Sequence, residues 1–310
     1  PNTMFTPRLE IGQMQAEWRV AGTRLVLLSL EHTLVWEDAK QLHEHGFEPP
    51  AELVGVLRRL TADPRNYVYV LSRKSTTDLD QLARAVPALG IIAENGCYAQ
   101  HCTRAPDGAC EWMSLVDGID MKWREPVRNI LDYFTERTPG AWIEERSTTI
   151  TWYFCEGTTN QQDVAWARRQ ASEVQSLITD SLGERFSLRM INENTHFVIM
   201  PKNVGFTPAV QYMLALDNMG SLPVRQGTPG KALFEFVLYI GHDEKLISHL
   251  NHVDLPFAPR TCTTARPDTI AGSIASCQLE PGKQVLDALE EIVDLHLRDL
   301  KWGGPAMMDV

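Results

Sequence analysis

Four short apolar runs rich in β-branched residues, separated by segments of helical period, constrain this chain most. They are Arg24 to Leu28, Tyr67 to Leu71, Gly90 to Ala93 and Phe236 to Ile240. Such alternation is the pattern of βαβ units and a parallel sheet. Between the first two runs, Leu53, Val56, Leu57 and Leu60 recur at helical spacing and predict the first crossover helix. Asp78 to Val86 predicts another, with Thr76 or Thr77 as its N-cap, and Lys283 to Leu300 a helix that closes the same core.

The middle third alternates differently. Trp123 to Arg137 reads as a helix, Ala141 to Phe154 carries strands, Asp163 to Leu182 is a long helix, and Phe186 to Met190 and His196 to Met200 are two further strands. The pattern predicts an α/β chain: a Rossmann-like core with a parallel sheet at 23–117 and 201–310, and an inserted α+β cap domain at 118–200. Residues 1–22 are read as an N-terminal tether and first helix that Trp18 docks onto the core.

With 44% hydrophobic residues in 310, the chain is long enough to bury one large core or a core plus an insertion. Its apolar runs fall far short of the roughly 20 residues that cross a bilayer, so no membrane partner is expected. A formal charge of -11 disfavours nucleic acid, whose affinity comes largely from clustered Lys and Arg. Cys97, Cys102, Cys110, Cys155, Cys262 and Cys277 form no CxxC pair, so reduced thiols and a cytoplasmic location are expected. The opening Pro1-Asn2-Thr3-Met4 has neither a basic nor an apolar leader segment and suggests a domain excised from a longer chain.

The first strand stops at Ser29-Leu30-Glu31-His32-Thr33-Leu34. Residues spaced by two share one side of a strand end, an arrangement in which one carboxylate can attack phosphorus while the other moves a proton. An apolar strand ending in Thr-Leu resembles the first motif of haloacid-dehalogenase phosphatases. Asp63 to Ser72, Leu89 to Tyr98, Tyr133 to Arg146, Ile150 to Tyr153 and Ala171 to Gln175 resemble the trehalose-6-phosphate phosphatases of that superfamily, in the expected order.

The departures concentrate in the implied active site. Where the family reads Asp-x-Asp-Gly-Thr-Leu, with a nucleophilic Asp and magnesium ligands, this chain has Ser29 and Glu31. Where it reads Ser-Gly-Arg-Asp, Ser72 persists, Arg73 replaces the small Gly, and Lys74 keeps charge without the planar fork of arginine. Phe206 stands where the family has a phosphoryl-neutralising lysine, with Lys202 nearby in sequence. In the fourth motif, Gly241 and Asp243 persist and His242 replaces the first Asp. Magnesium prefers hard oxygen ligands, so its site is expected to be largely lost and no cofactor is assigned. In the cap, Glu145 and Arg146 correspond to the family's sugar-reading Glu-Lys, a residual sugar site.

Retained scaffold with degraded chemistry reads as a pseudophosphatase, and the resemblance implies a non-catalytic regulatory or scaffolding domain of a trehalose synthase complex, bound to its catalytic synthase and phosphatase subunits. The resemblance also admits a sensor that holds trehalose-6-phosphate without hydrolysing it, and an active phosphatase with a divergent site. Other motifs read as structural. His249-x-x-His252 and His43-x-His45 lack a third metal ligand, Gly227 to Gly230 is a turn, Glu290, Glu291 and Asp294 form a solvated helix face, and Trp18, Trp112, Trp123, Trp142, Trp152 and Trp166 are core or interface anchors.

Overall fold

The computed structural model describes residues 7–35, 47–101, 111–216, 234–265 and 273–302, with side chains only to 212 and 295 in the helices ending at 216 and 302. His43, His45, Cys102, Cys110 and the turn Gly227 to Gly230 lie outside the described residues.

The chain divides into two compact units, 1–113 with 206–310, and 114–205. The first is built on an eight-stranded sheet. Its central strands are β1 (Arg24–Ser29), β2 (Asn66–Leu71) and β3 (Gly90–Ala93), buried at every position as continuous apolar strands demand. Helix α1 (Ile11–Val20) precedes β1, α2 (Ala51–Ala62) connects β1 to β2, and α3 (Thr76–Ala85) connects β2 to β3. The buried face of α2 is Leu53, Val56, Leu57 and Leu60, the spacing read from sequence. Helix α3 begins two residues earlier than expected. Ser75 is its N-cap and forms a reciprocal capping box with Asp78, satisfying two end N–H groups at once.

The strands β4 (Tyr98–Gln100) and β5 (Met113–Ser114) extend one edge of the sheet. In the other unit, α4 (Arg124–Thr135) and α5 (Gln161–Ile178) pack with a four-stranded antiparallel sheet of order β6-β7-β9-β8: β6 (Trp142–Glu145), β7 (Ile150–Tyr153), β8 (Leu188–Asn192) and β9 (His196–Pro201). Trp123, Leu131, Trp152 and Phe197 centre its core. The chain re-enters the first unit through α6 (Phe206–Leu216) and β10 (Phe236–Gly241), which pairs parallel to β1. Then come α7 (Glu244–Asn251), β11 (Arg260–Thr263), β12 (Cys277–Gln278) and α8 (Lys283–Trp302). Strands β11 and β12 escaped the sequence reading because they are short and carry polar residues.

One expectation is overturned. Cys262 and Cys277 form a disulfide, their Cα atoms 4.7 Å apart. They occupy partnered positions on the parallel neighbours β11 and β12, so strand register supplies the proximity that sequence spacing lacks. Cys97 and Cys155 are buried thiols. No helix among the described residues is long and apolar enough to cross a membrane. Trp18, Trp123 and Trp152 are core anchors, whereas Trp166 is 44% exposed.

Candidate functional site

Parallel strands deliver the polar residues that follow them to one edge of the sheet, and β1, β2 and β10 do so here. Ser29, the last residue of β1, is buried, and its hydroxyl lies 3.1 Å from that of Tyr239 on β10. The Tyr239 hydroxyl also accepts from the Asp243 N–H at 3.1 Å. Burial and the neighbouring Asp243 carboxylate push the Tyr239 phenol above its usual range. Gly241 must be glycine, because a Cβ there would collide with Ser29 Oγ and the Tyr239 hydroxyl. Sequence reasoning missed Tyr239. Its signal was an ordinary strand residue two before Gly241, on the same side of the strand.

Glu31 turns toward the loop after β2. Its carboxylate accepts from Ser72 Oγ at 2.6 Å and from the Arg73 N–H at 3.2 and 3.1 Å. Burial works against its charge, but Arg73, Lys74 and these hydrogen bonds outweigh it and hold the carboxyl below its usual range. The next residue, His32, has φ 54°, a left-handed backbone that side chains with a Cβ seldom adopt. Its Nε2 accepts from the Arg73 guanidinium at 2.9 Å, and its ring meets that of His242 edge-on, with centroids 5.8 Å apart. His242 Nδ1 is buried with no hydrogen-bond partner among the described residues. Burial, with Arg73 and His32 beside it, pushes the His242 imidazole down to about 3 against the opposing pull of Glu31, so it is neutral.

The remaining candidates have structural occupations. Asp243 caps α7 by accepting from the N–H groups of Lys245 and Leu246 at 2.9 and 3.1 Å. Lys74 is buried, its ammonium 4.7 Å from the centre of the Phe47 ring. Phe206 is the half-buried first residue of α6, and Lys202 is exposed. His249 lies 3.4 Å from Gln211, and His252 bonds the Ser248 carbonyl at 2.6 Å.

In the second unit, Glu145 and Arg146 do not converge on each other. Glu145 accepts from Arg124 at 2.6 Å and Arg128 at 3.1 Å, both on or bounding α4. Arg146 pairs with Glu144 at 2.6 Å, and Glu144 also accepts from the Tyr153 hydroxyl at 3.2 Å. Consecutive strand residues face opposite sides, so Glu144 and not Glu145 shares a face with Arg146. On that face Trp142 stacks on Tyr153 at 3.9 Å, and Tyr153 meets His196 at 4.8 Å.

A parallel α/β sheet with an inserted α+β unit, and polar residues gathered where β1, β2 and β10 end, is a haloacid-dehalogenase type of fold. The trehalose-phosphatase family model matches residues 41–187, and the chain carries a trehalose-phosphatase-like domain. It is 34% identical over 178 residues, 54% of its length and 18% of the relative's, to a putative alpha,alpha-trehalose-phosphate synthase 106 kDa subunit of Schizosaccharomyces pombe. Its fold matches the C-terminal domain of Candida albicans trehalose-6-phosphate phosphatase with TM-score 0.76 and 22% identity, covering 94% of this chain and 99% of that one. It also matches the C-terminal domain of the Candida albicans trehalose synthase regulatory protein with TM-score 0.71 and 20% identity, covering 92% and 99%. The chain spans about a third or less of the length of the curated relatives it matches first.

Proposed function

We propose that this domain is a pseudophosphatase that serves as a regulatory or scaffolding part of a trehalose synthase complex. The observation that carries this reading is the state of the residue at the nucleophile position. Ser29 offers a buried hydroxyl already shared with Tyr239. A phosphoserine formed there would be an inert phosphomonoester, unlike the labile acyl phosphate that an aspartate forms. Loss of a catalytic nucleophile costs on the order of a million-fold in rate. The donor set also supports a domain without magnesium. Glu31 is spent on Ser72 and Arg73, Asp243 on capping α7, and a neutral imidazole stands at position 242. These residues do not fit the ion, and among the described residues no group of three or more His, Cys, Asp or Glu could hold a metal.

Similarity to a synthase subunit and to the fold of a synthase regulatory protein supports the complex as the setting, with the catalytic synthase and phosphatase subunits as partners. A second reading, a sensor that holds trehalose-6-phosphate without turnover, draws on the Trp142, Tyr153 and His196 row beside the Glu144–Arg146 pair. Calorimetric titration with trehalose-6-phosphate and magnesium separates the readings. The scaffold gives no heat, the sensor gives saturating heat, and continuous heat with phosphate release would overturn both.

A further inference from the structure

The loop that joins β2 to α3 directs several donors at one point. Ser72 Oγ points at Glu31 Oε1 from 2.6 Å, the Arg73 N–H reaches both carboxylate oxygens, and the Lys74 N–H donates to Ser72 Oγ at 3.0 Å, which leaves the hydroxyl proton for the carboxylate. The loop is itself clamped, because the N–H groups of Glu94 and Asn95 bond the Lys74 and Ser72 carbonyls at 2.9 and 3.2 Å. A hydroxyl, a main-chain N–H and two adjacent cationic residues ahead of a helix start are the chemistry of an oxyanion cradle. This cradle already holds an anion.

We propose that Glu31 is a tethered occupant of this cradle, a built-in carboxylate that closes the site against free phosphate-type oxyanions. The tether is short and held from both sides. Leu30 is buried, its carbonyl accepts from the Leu34 and Val35 N–H groups at 3.0 Å each, and His32 is pinned in its left-handed conformation by Arg73. The guanidinium that could otherwise receive a second anion is thus turned to the His32 ring. A free oxyanion would have to displace a carboxylate that pays no association entropy to stay, and would suffer like-charge repulsion from it. The lowered pKa of Glu31, held down by Arg73, Lys74 and the hydrogen bonds from Ser72 and Arg73 against the effect of burial, keeps the occupant charged at neutral pH.

The inference rests on the reading of the site as non-catalytic, and the test keeps the two apart. Inorganic phosphate is titrated at neutral pH into the 310-residue chain, its Glu31→Ala variant, and Glu31→Ala combined with Ser72→Ala, with binding followed by calorimetry and phosphorus NMR line width. The expected result is that Glu31→Ala binds phosphate at least about tenfold more tightly than the unmodified chain, as removal of a like charge predicts, and that Ser72→Ala abolishes the gain. Equal affinity in the unmodified and Glu31→Ala chains would overturn the proposal, as would absence of binding in a Glu31→Ala chain with unchanged near-UV circular dichroism. Should Glu31→Ala not fold, Glu31→Gln removes the charge at nearly constant shape and must still bind phosphate more tightly than the unmodified chain. Phosphate release from trehalose-6-phosphate by the unmodified chain would overturn the non-catalytic reading, whereas phosphate binding by the unmodified chain as tight as by Glu31→Ala, without release, would overturn the tethered carboxylate alone.

Discussion

The two ends of strand β1 treat buried polar groups in opposite ways. At its start, the fully buried Arg24 donates to Asp63 at 2.9 Å and to Asn66 at 3.1 Å, and its guanidinium lies 4.5 Å from the centre of the Trp18 ring. Asp63 also binds Arg65, and these contacts hold its carboxyl below the usual range against the opposing effect of burial. That end is ordinary in backbone and serves the fold. At the other end, His32, Glu94 and Asn95 all have positive φ, at 54°, 46° and 56°, around a cluster in which Glu31, Ser72, Arg73 and His32 bind one another. Left-handed backbone costs on the order of 1–3 kcal/mol per residue and concentrates at functional sites. The strained architecture of a site is therefore kept here, while its polar groups are turned inward. The contrast teaches that a buried charge can hold the fold together at one end of a strand and, at the other, be turned onto the neighbouring polar groups of the candidate site.

The sharpest way to break this contrast is at the folding end. Asp63→Ala leaves the Arg24 guanidinium buried without its carboxylate and is expected to cost about 3–5 kcal/mol, measured as a lower urea midpoint at unchanged slope. A loss no larger than that of a surface substitution would show that the Arg24 network is not structural. The next effect is one of pH. His242 titrates near 3 in the folded chain and near its ordinary 6.5 when unfolded, so the unfolded chain binds more protons between those values. Stability should fall as pH drops from about 6.5 toward 3, and His242→Gln should flatten that slope in denaturant titrations. Glu31 and Asp63, with depressed pKa values, lose their contributions as pH falls through their folded values, so Glu31→Gln should shorten the acid limb further.

Tyr239→Phe removes the hydroxyl that joins Ser29 to the Asp243 N–H and should cost about 1–3 kcal/mol by leaving buried groups unpaired. It should restore no phosphate release, and neither should Ser29→Asp alone. Activity from the latter change would mean that the site is one residue away from catalysis. The smallest effect is expected at Ser75→Ala, which breaks the capping box of α3 for about 1 kcal/mol in thermal melts.

The periodicity of apolar residues determined the parallel sheet, the crossover helix with Leu53, Val56, Leu57 and Leu60 inward, and the positions of Ser29, Ser72, His242 and Asp243 at strand ends. These are consequences of local period and of where apolar runs stop, which a sequence displays directly. Tertiary structure alone decided who partners whom. Glu31 could have faced solvent or an ion, and its placement against Ser72 and Arg73 depends on the conformation of two loops 41 residues apart. Tyr239 looked like any buried strand residue until its hydroxyl met Ser29. Cys262 and Cys277 became neighbours through strand register, and Glu145 and Arg146 parted because adjacent strand residues face opposite sides. Period specifies which face a side chain takes, but the group it meets there is set by chain segments remote in sequence.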